Sequence, residues 1–386
     1  MRIALGLQHG VPLRAWLALA VLLGGCPKGG APAAPARAGA RGAGGSAPAV
    51  VASHRDWGAR VGRAADPGPE ARPRVLWRVQ LPAPAEGGIA VGGGLAFVVS
   101  DGAVHAIDGS GQTRWRADVA AVGRPTVVDG GQVAVGTADG VVLLLDPLTG
   151  AGPAGQPSGG AVIDGVSHWE GVLAWATAEG RVVSADGHVV ELGAPPSGGL
   201  AAHGSHAFVG LRDGGLVGLG ANGPRWQLAL PGPMLGSPRT DGAQVLVAWG
   251  PALGTAGGVL AAAVGTGEER WRVSLGSEPA AAPAWAPGLI VVGELGGDLV
   301  GLDPSTGAEL WRNTSTGAWS GAPTLAGRSV YAVEVQGRAV RVDPDDGGEI
   351  WSVDLGSAVT VSPAVRGGQL LVALENGELV ALGAAP

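Results

Sequence analysis

Few residues in this chain have both the type and the spacing that chemistry requires. The segment from Asp343 through Asp345, Asp346, Gly347 and Gly348 to Asp354 comes nearest. It places carboxylates at the first, third and twelfth positions and Gly at the sixth, the ligand spacing of a calcium loop. Gly347 stands where the fifth ligand belongs, and no helix-forming sequence flanks the segment, so it reads as a hairpin turn. His203 and His206 are neighbours, but on a strand they point to opposite faces, and no third ligand accompanies them. The single lysine, Lys28, excludes a Gly-x-x-x-x-Gly-Lys phosphate loop, and among 72 glycines a looser glycine-rich match carries no information. No Ser/His/Asp grouping stands out. The expectation is a protein without catalytic residues, metal or cofactor.

The elements that would have to position such groups are set by a repeat. Trp115, Trp226, Trp271, Trp311 and Trp351 each close a similar unit, and the last three are spaced 40 residues apart. A period near 40 marks a repeat architecture. Each unit opens with small residues and proline (Ala322-Pro323-Thr324, Ser362-Pro363-Ala364). An alternating strand, a tight Gly hairpin such as Asp101-Gly102 or Asn376-Gly377 and a second strand follow. Then comes an Asp-Pro-x-x-Gly turn such as Asp303 to Gly307, and the Trp-bearing strand. Four short antiparallel strands in about 40 residues make one propeller blade. Two units lack the Trp; their outer strands are expected near 151–157 and 189–192. An orphan strand at 75–81 carries Trp77, and the last unit stops one strand short. Pairing the two closes the ring and removes an exposed edge. The predicted fold is therefore all-β, an eight-bladed propeller of four-stranded antiparallel blades. Its Trp77, Trp115, Trp226, Trp271, Trp311 and Trp351 are expected to dock one blade on the next, each ring packing between blades with its N–H on a backbone carbonyl.

The chain before the repeat is of another kind. Arg2 and Arg14 flank the start of an apolar run ending Leu23-Gly24-Gly25-Cys26. This is too short to span a bilayer and reads as an export signal. It resembles a bacterial lipoprotein signal, in which the terminal cysteine, here Cys26, becomes lipidated after cleavage. With no other Cys, disulfides and thiolate chemistry are excluded. Residues 27–71 are rich in Ala, Gly, Pro and Arg and read as a flexible tether, leaving 72–386 for the propeller. Residues 1–74 carry a net +7 and residues 75–386 a net −14. An acidic propeller makes nucleic acid an unfavourable partner.

The units Asp303 to Trp311 and Asp343 to Trp351 resemble the repeat of quinoprotein (PQQ-type) propellers over about residues 72–383. Two branches of that family bear on function. The quinoprotein dehydrogenases hold PQQ and calcium on the propeller axis, often beside a vicinal disulfide, which a chain with one Cys does not have. The plan of anchor, tether, eight blades and no cofactor is similar to the propeller lipoproteins of the outer-membrane β-barrel assembly machinery. That resemblance implies a monomeric, non-catalytic scaffold facing the periplasm at the outer membrane. It would bind envelope or outer-membrane assembly proteins and touch the membrane only through its lipid. The alternative is a PQQ-binding redox or sensor propeller. From the residues alone, the candidate contact surface is the long hairpin of blade five, with Pro251 and Leu253, next to Trp319 in the crossing before blade seven. Trp169, at a turn on the opposite face, is a second candidate. Trp175 is expected in the core.

Overall fold

Second and third strands of runs such as Leu95–Ser100 and Ala103–Ile107 have no polar face, so they need cover on both sides. The fold supplies it by standing sheets side by side. The computed structural model describes residues 63–384 apart from 153–154, 252–255 and 360. These residues form eight antiparallel four-stranded sheets, one of them extended by a short fifth strand.

Blade one is Glu86–Gly92, Leu95–Ser100, Ala103–Ile107 and Thr113–Asp118. Blades two to seven repeat this order through Glu349–Asp354. First strands of neighbouring blades meet, as Glu86–Gly92 meets Ala121–Val127, and the first strand of blade eight, Ala364–Arg366, meets that of blade one, so the sheets form a ring around the first strands. Blade eight takes its outer strand from the other end of the chain. Arg74–Gln80 pairs antiparallel with Glu378–Gly383, with Trp77 opposite Ala381. The closure expected from the strand count is present. The two Trp-less units end in Gln156–Pro157 and Val189–Glu191, short outer strands in the expected places.

The core is a circle of clusters, each shared by two neighbouring blades. One joins Trp311 and Val291 of blade six to Leu325 and Val340 of blade seven. Outer strands alternate exposed and buried residues around a single buried Trp, as in Glu309–Thr314. Their pairing slips by one residue beside that Trp, for instance between Gly301 and Leu302. The extra residue, Leu310 or its counterpart Arg270, faces solvent. The bulge turns the indole toward the next blade.

There the indole meets a turn. Trp115 Nε1 donates to Pro147 O at 2.8 Å, Trp271 to Pro304 O at 3.0 Å and Trp311 to Pro344 O at 2.8 Å. Trp226 donates to Val264 O at 3.0 Å and Trp77 to Gly109 O at 2.9 Å. Every one of these bonds crosses a blade boundary. The turn glycine lies flat beneath the ring. Gly307 has φ +72°, and a Cβ there would sit 2.5 Å from the Trp271 ring, so both backbone and space demand Gly.

The described chain starts earlier than the expected propeller edge at residue 72. Arg63–Ala64 pairs in parallel with the first strand of blade seven, Thr324–Ala326, at the inner edge of the ring. Residues 65–71 then run outward to the closing strand. Assigned to the tether by composition, they are packed on blades seven and eight. Cys26 and the export signal lie outside the described residues.

Candidate interaction surface

In each blade the turn between strands two and three shares a face with the crossing to the next blade. The other turns form the opposite face. Two of the proposed contact residues, Pro251 and Trp319, belong to the first face, and the structure separates them.

Trp319 is 2% exposed. Its Nε1 donates to Gly297 O at 3.0 Å, and the ring packs against blades six and seven. It is core, not contact surface. The reason is positional: Trp319 bridges Glu334, as Pro279 bridges Glu294 and Val359 bridges Leu374. These three positions are 40 residues apart and form one buried apolar site of the repeat. Trp169 is corrected likewise. It is 3% exposed, donates to Ser205 O at 3.3 Å and belongs to the cluster shared by blades three and four. Trp175 is buried, with Nε1 on Ser158 O at 2.8 Å. Pro251 is exposed at the start of the blade-five hairpin; Leu253 lies outside the described residues.

What remains exposed on this face is a row of apolar turn tips. Leu295 in blade six is 44% exposed and Val335 in blade seven 38%. They occupy one repeat position. Leu295 N donates to Glu278 O, Val335 N to Ala318 O and Gly250 N to Pro233 O, all at 2.8 Å. Blade five therefore presents Gly250-Pro251 where blades six and seven present Leu295 and Val335. The matching residues in blades four and eight are Arg212 and Glu375, likewise bonded to their crossings, so the row over blades five to seven ends at a charged residue on either side. Leu295 and Val335 escaped notice in the sequence because each is a single apolar residue in a polar turn. Aligning the units at 40 residues brings them together.

Charged groups hold this row from beneath. Glu294, 1% exposed, accepts from Ser277 N at 2.5 Å and from Arg312 at 2.9 Å. Arg312 also binds Asp298 and Glu309. The guanidinium is held above its ordinary pKa by its hydrogen bond to Glu309, with Asp298 and Glu294 adding to it against the opposing effect of burial. In blade seven Glu334 is held by Arg338 at 2.8 Å. There the arginine comes from the third strand instead of the outer one. The acid–base pair Asp298 and Arg312 of blade six becomes Arg338 and Ser352. The Arg338 charge is favoured by Glu334 and Glu349, which outweigh burial. The ion pair to the turn glutamate survives although its arginine moves from one strand to another, so its common role is to support the turn. Among the described residues no group of three or more His, Cys, Asp or Glu side chains converges as a metal site. The Asp343 segment is a turn whose Asp343 Oδ1 accepts from Asp345 N at 2.9 Å. His203 is exposed and His206 partly so.

The model of a family described as outer membrane protein assembly factor BamB matches residues 63–152 and 255–385, more than half of the chain. No curated protein sequence matches. Among solved structures, BamB from Moraxella catarrhalis is similar with a TM-score of 0.65 at 18% identity, over 81% of this chain and 98% of that one. The computationally designed Ika8 protein is similar with a TM-score of 0.66 at 17% identity, over 81% of this chain and 100% of its own. A designed protein matching as well as a natural one means that the likeness between structures is one of fold.

Proposed function

The chain belongs to the propeller family described as outer membrane protein assembly factor BamB, and from that premise we propose that it is a non-catalytic scaffold which binds other proteins. The observation that carries this reading is the apolar row Pro251, Leu295 and Val335 across three consecutive blades. Exposed apolar side chains on a rigid frame with a polar surround are what a protein contact needs. The finer part of the proposal is location and process. Cys26 is the lipid attachment site, the tether holds the propeller on the periplasmic side of the outer membrane, and the partners are envelope proteins of outer-membrane assembly.

A photo-crosslinking residue at position 295 or 335, introduced in the cell, should capture a membrane protein, and one at exposed Arg328 on the other face should not. Equal capture at all three positions would sink the reading. Cys26→Ser should release the protein from the membrane fraction, and retention would refute the anchor. The axis is the place where the quinone alternative would have to act. Arg63–Ala64 occupies part of it beside blade seven, which supports the scaffold reading. Stoichiometric binding of PQQ in the presence of calcium, read by absorbance, would overturn it.

A further inference from the structure

Blade eight cannot offer blade seven the docking turn that every other junction between a Trp and its neighbour uses, because its third and outer strands come from opposite ends of the chain. Trp351 and Tyr331 of blade seven face the gap. Segment 66–70, Asp-Pro-Gly-Pro-Glu, fills it. Trp351 Nε1 and Tyr331 Oη both donate to Pro69 O, each at 3.2 Å. Arg341 donates to Glu70 O. From blade eight, Gly368 N donates to Pro67 O at 3.1 Å and Gly367 N to Asp66 Oδ2 at 3.0 Å. Gly68 and Pro69 are buried, and a Cβ on Gly68 would stand 2.6 Å from the fully buried Tyr331 ring.

All five groups on the propeller are donors and the four on the segment are acceptors, Pro69 O taking two of the bonds. Two of its five residues are prolines, which have no N–H to leave unpaired in such a slot. Asp66-Pro67 repeats the Asp-Pro opening of the docking turns at Asp303 and Asp343, here without covalent continuity to the third strand of blade eight. We propose that the cleft formed by Tyr331, Arg341, Trp351 and the Gly367-Gly368 turn is a peptide-binding site. It is specific for an extended, acidic, proline-bearing segment presented through its carbonyl oxygens, and it is filled in cis by residues 66–70. Its ligand is recognised by shape and backbone, as strand and loop capture generally works. The site therefore accepts the same sequence supplied as a separate peptide once the resident segment is displaced.

The test uses the full chain carrying Gly68→Ala, which drives the segment off Tyr331, and the milder Asp66→Ala, which removes only the bond to Gly367. Each is melted with and without a synthetic peptide of residues 63–72. Gly68→Ala should lower Tm by several degrees and Asp66→Ala by less. The wild-type peptide should restore Tm saturably in the Gly68→Ala protein, quench its tryptophan fluorescence, and leave the wild-type protein unchanged. A peptide carrying the same Gly→Ala change should do neither. Trp351→Phe should lower Tm in the wild-type background and have little further effect with Gly68→Ala. An unchanged Tm in both segment variants, or additive losses with Trp351→Phe, overturns the proposal. If Gly68→Ala does not fold alone, its refolding in the presence of the wild-type peptide decides, and failure of the peptide to restore a folded protein overturns the proposal equally.

Discussion

At the scale of residues, one indole with one carbonyl recurs, and its energy is divisible. Trp311→Phe keeps most of the buried ring but leaves Pro344 O without its donor, so it should cost about 1–2 kcal/mol. Trp311→Ala opens a cavity between two blades as well and should cost about 3–5 kcal/mol. Denaturant melts of the two variants separate the parts, and equal losses would mean that the buried ring contributes nothing beyond the hydrogen bond. A second residue sets acid sensitivity. His105 is buried mid-strand in blade one, with Nε2 unpartnered. Burial, reinforced by the Arg116 charge, holds its pKa below the usual 6.5. The unfolded chain therefore binds that proton more readily than the folded one, and stability falls as pH drops from 6.5 toward the lowered folded value. His105→Leu should flatten this part of a stability–pH profile and leave any loss at lower pH, where carboxylates such as Asp108 and Glu349 with depressed pKa values take up protons. An unchanged slope between pH 5 and 6.5 would refute it. The docking indoles were legible in the sequence because type, spacing and turn agreed. Trp319 stands outside that series and belongs to another, the crossing position it shares with Pro279 and Val359, while Trp169 is covered by the cluster between blades three and four.

At the scale of elements, the blade is legible wherever its turns carry Gly and its outer strand carries Trp. Blades two and three were located only by interval, yet their short strands Gln156–Pro157 and Val189–Glu191 fall where the spacing put them. Segment 63–71 was missed for a physical reason. Its Ala, Pro and Gly residues bury little surface of their own, and it is held by donors on strands 260 and more residues away. Composition reports what a segment can bury and not what can be done for it. The Asp-Pro pair at 66–67, shared with the docking turns, was the one signal within reach. The contact face allows an element-scale prediction. Leu295→Glu with Val335→Glu places charge on two turn tips whose backbone bonds are untouched. Stability should change by less than about 1 kcal/mol, while partner capture from solubilised membranes should fall at least tenfold. A melt that moves by many degrees would show that these side chains serve the fold.

At the scale of the whole molecule, the ring has one non-covalent seam within a blade, between Arg74–Gln80 and Glu378–Gly383. Elsewhere, apart from the added strand Arg63–Ala64 of blade seven, paired strands of a blade follow one another along the chain. The seam is held by a ladder of strand bonds, by Arg78 on Glu378 at 2.6 Å, and by Arg366 across the next junction. Arg366, 3% exposed, donates to Ile107 O at 2.7 Å and Asp108 O at 3.0 Å of blade one. If the closed ring unfolds as a unit, linking the two ends removes far more freedom from the unfolded chain than linking neighbours does. Gln80 and Glu378 are paired across the seam, as Arg181 and Glu191 are paired across the third and outer strands of blade three. A disulfide from Gln80→Cys with Glu378→Cys closes nearly the whole propeller. One from Arg181→Cys with Glu191→Cys closes a short loop of the same geometry. Loop-closure entropy places the first ahead by about 3 kcal/mol. In a Cys26→Ser background, the oxidised seam variant should therefore melt several degrees above the oxidised blade-three variant, with both gains abolished by reductant. Equal gains would mean that blades unfold one at a time, leaving the seam no more important than any other pair of strands.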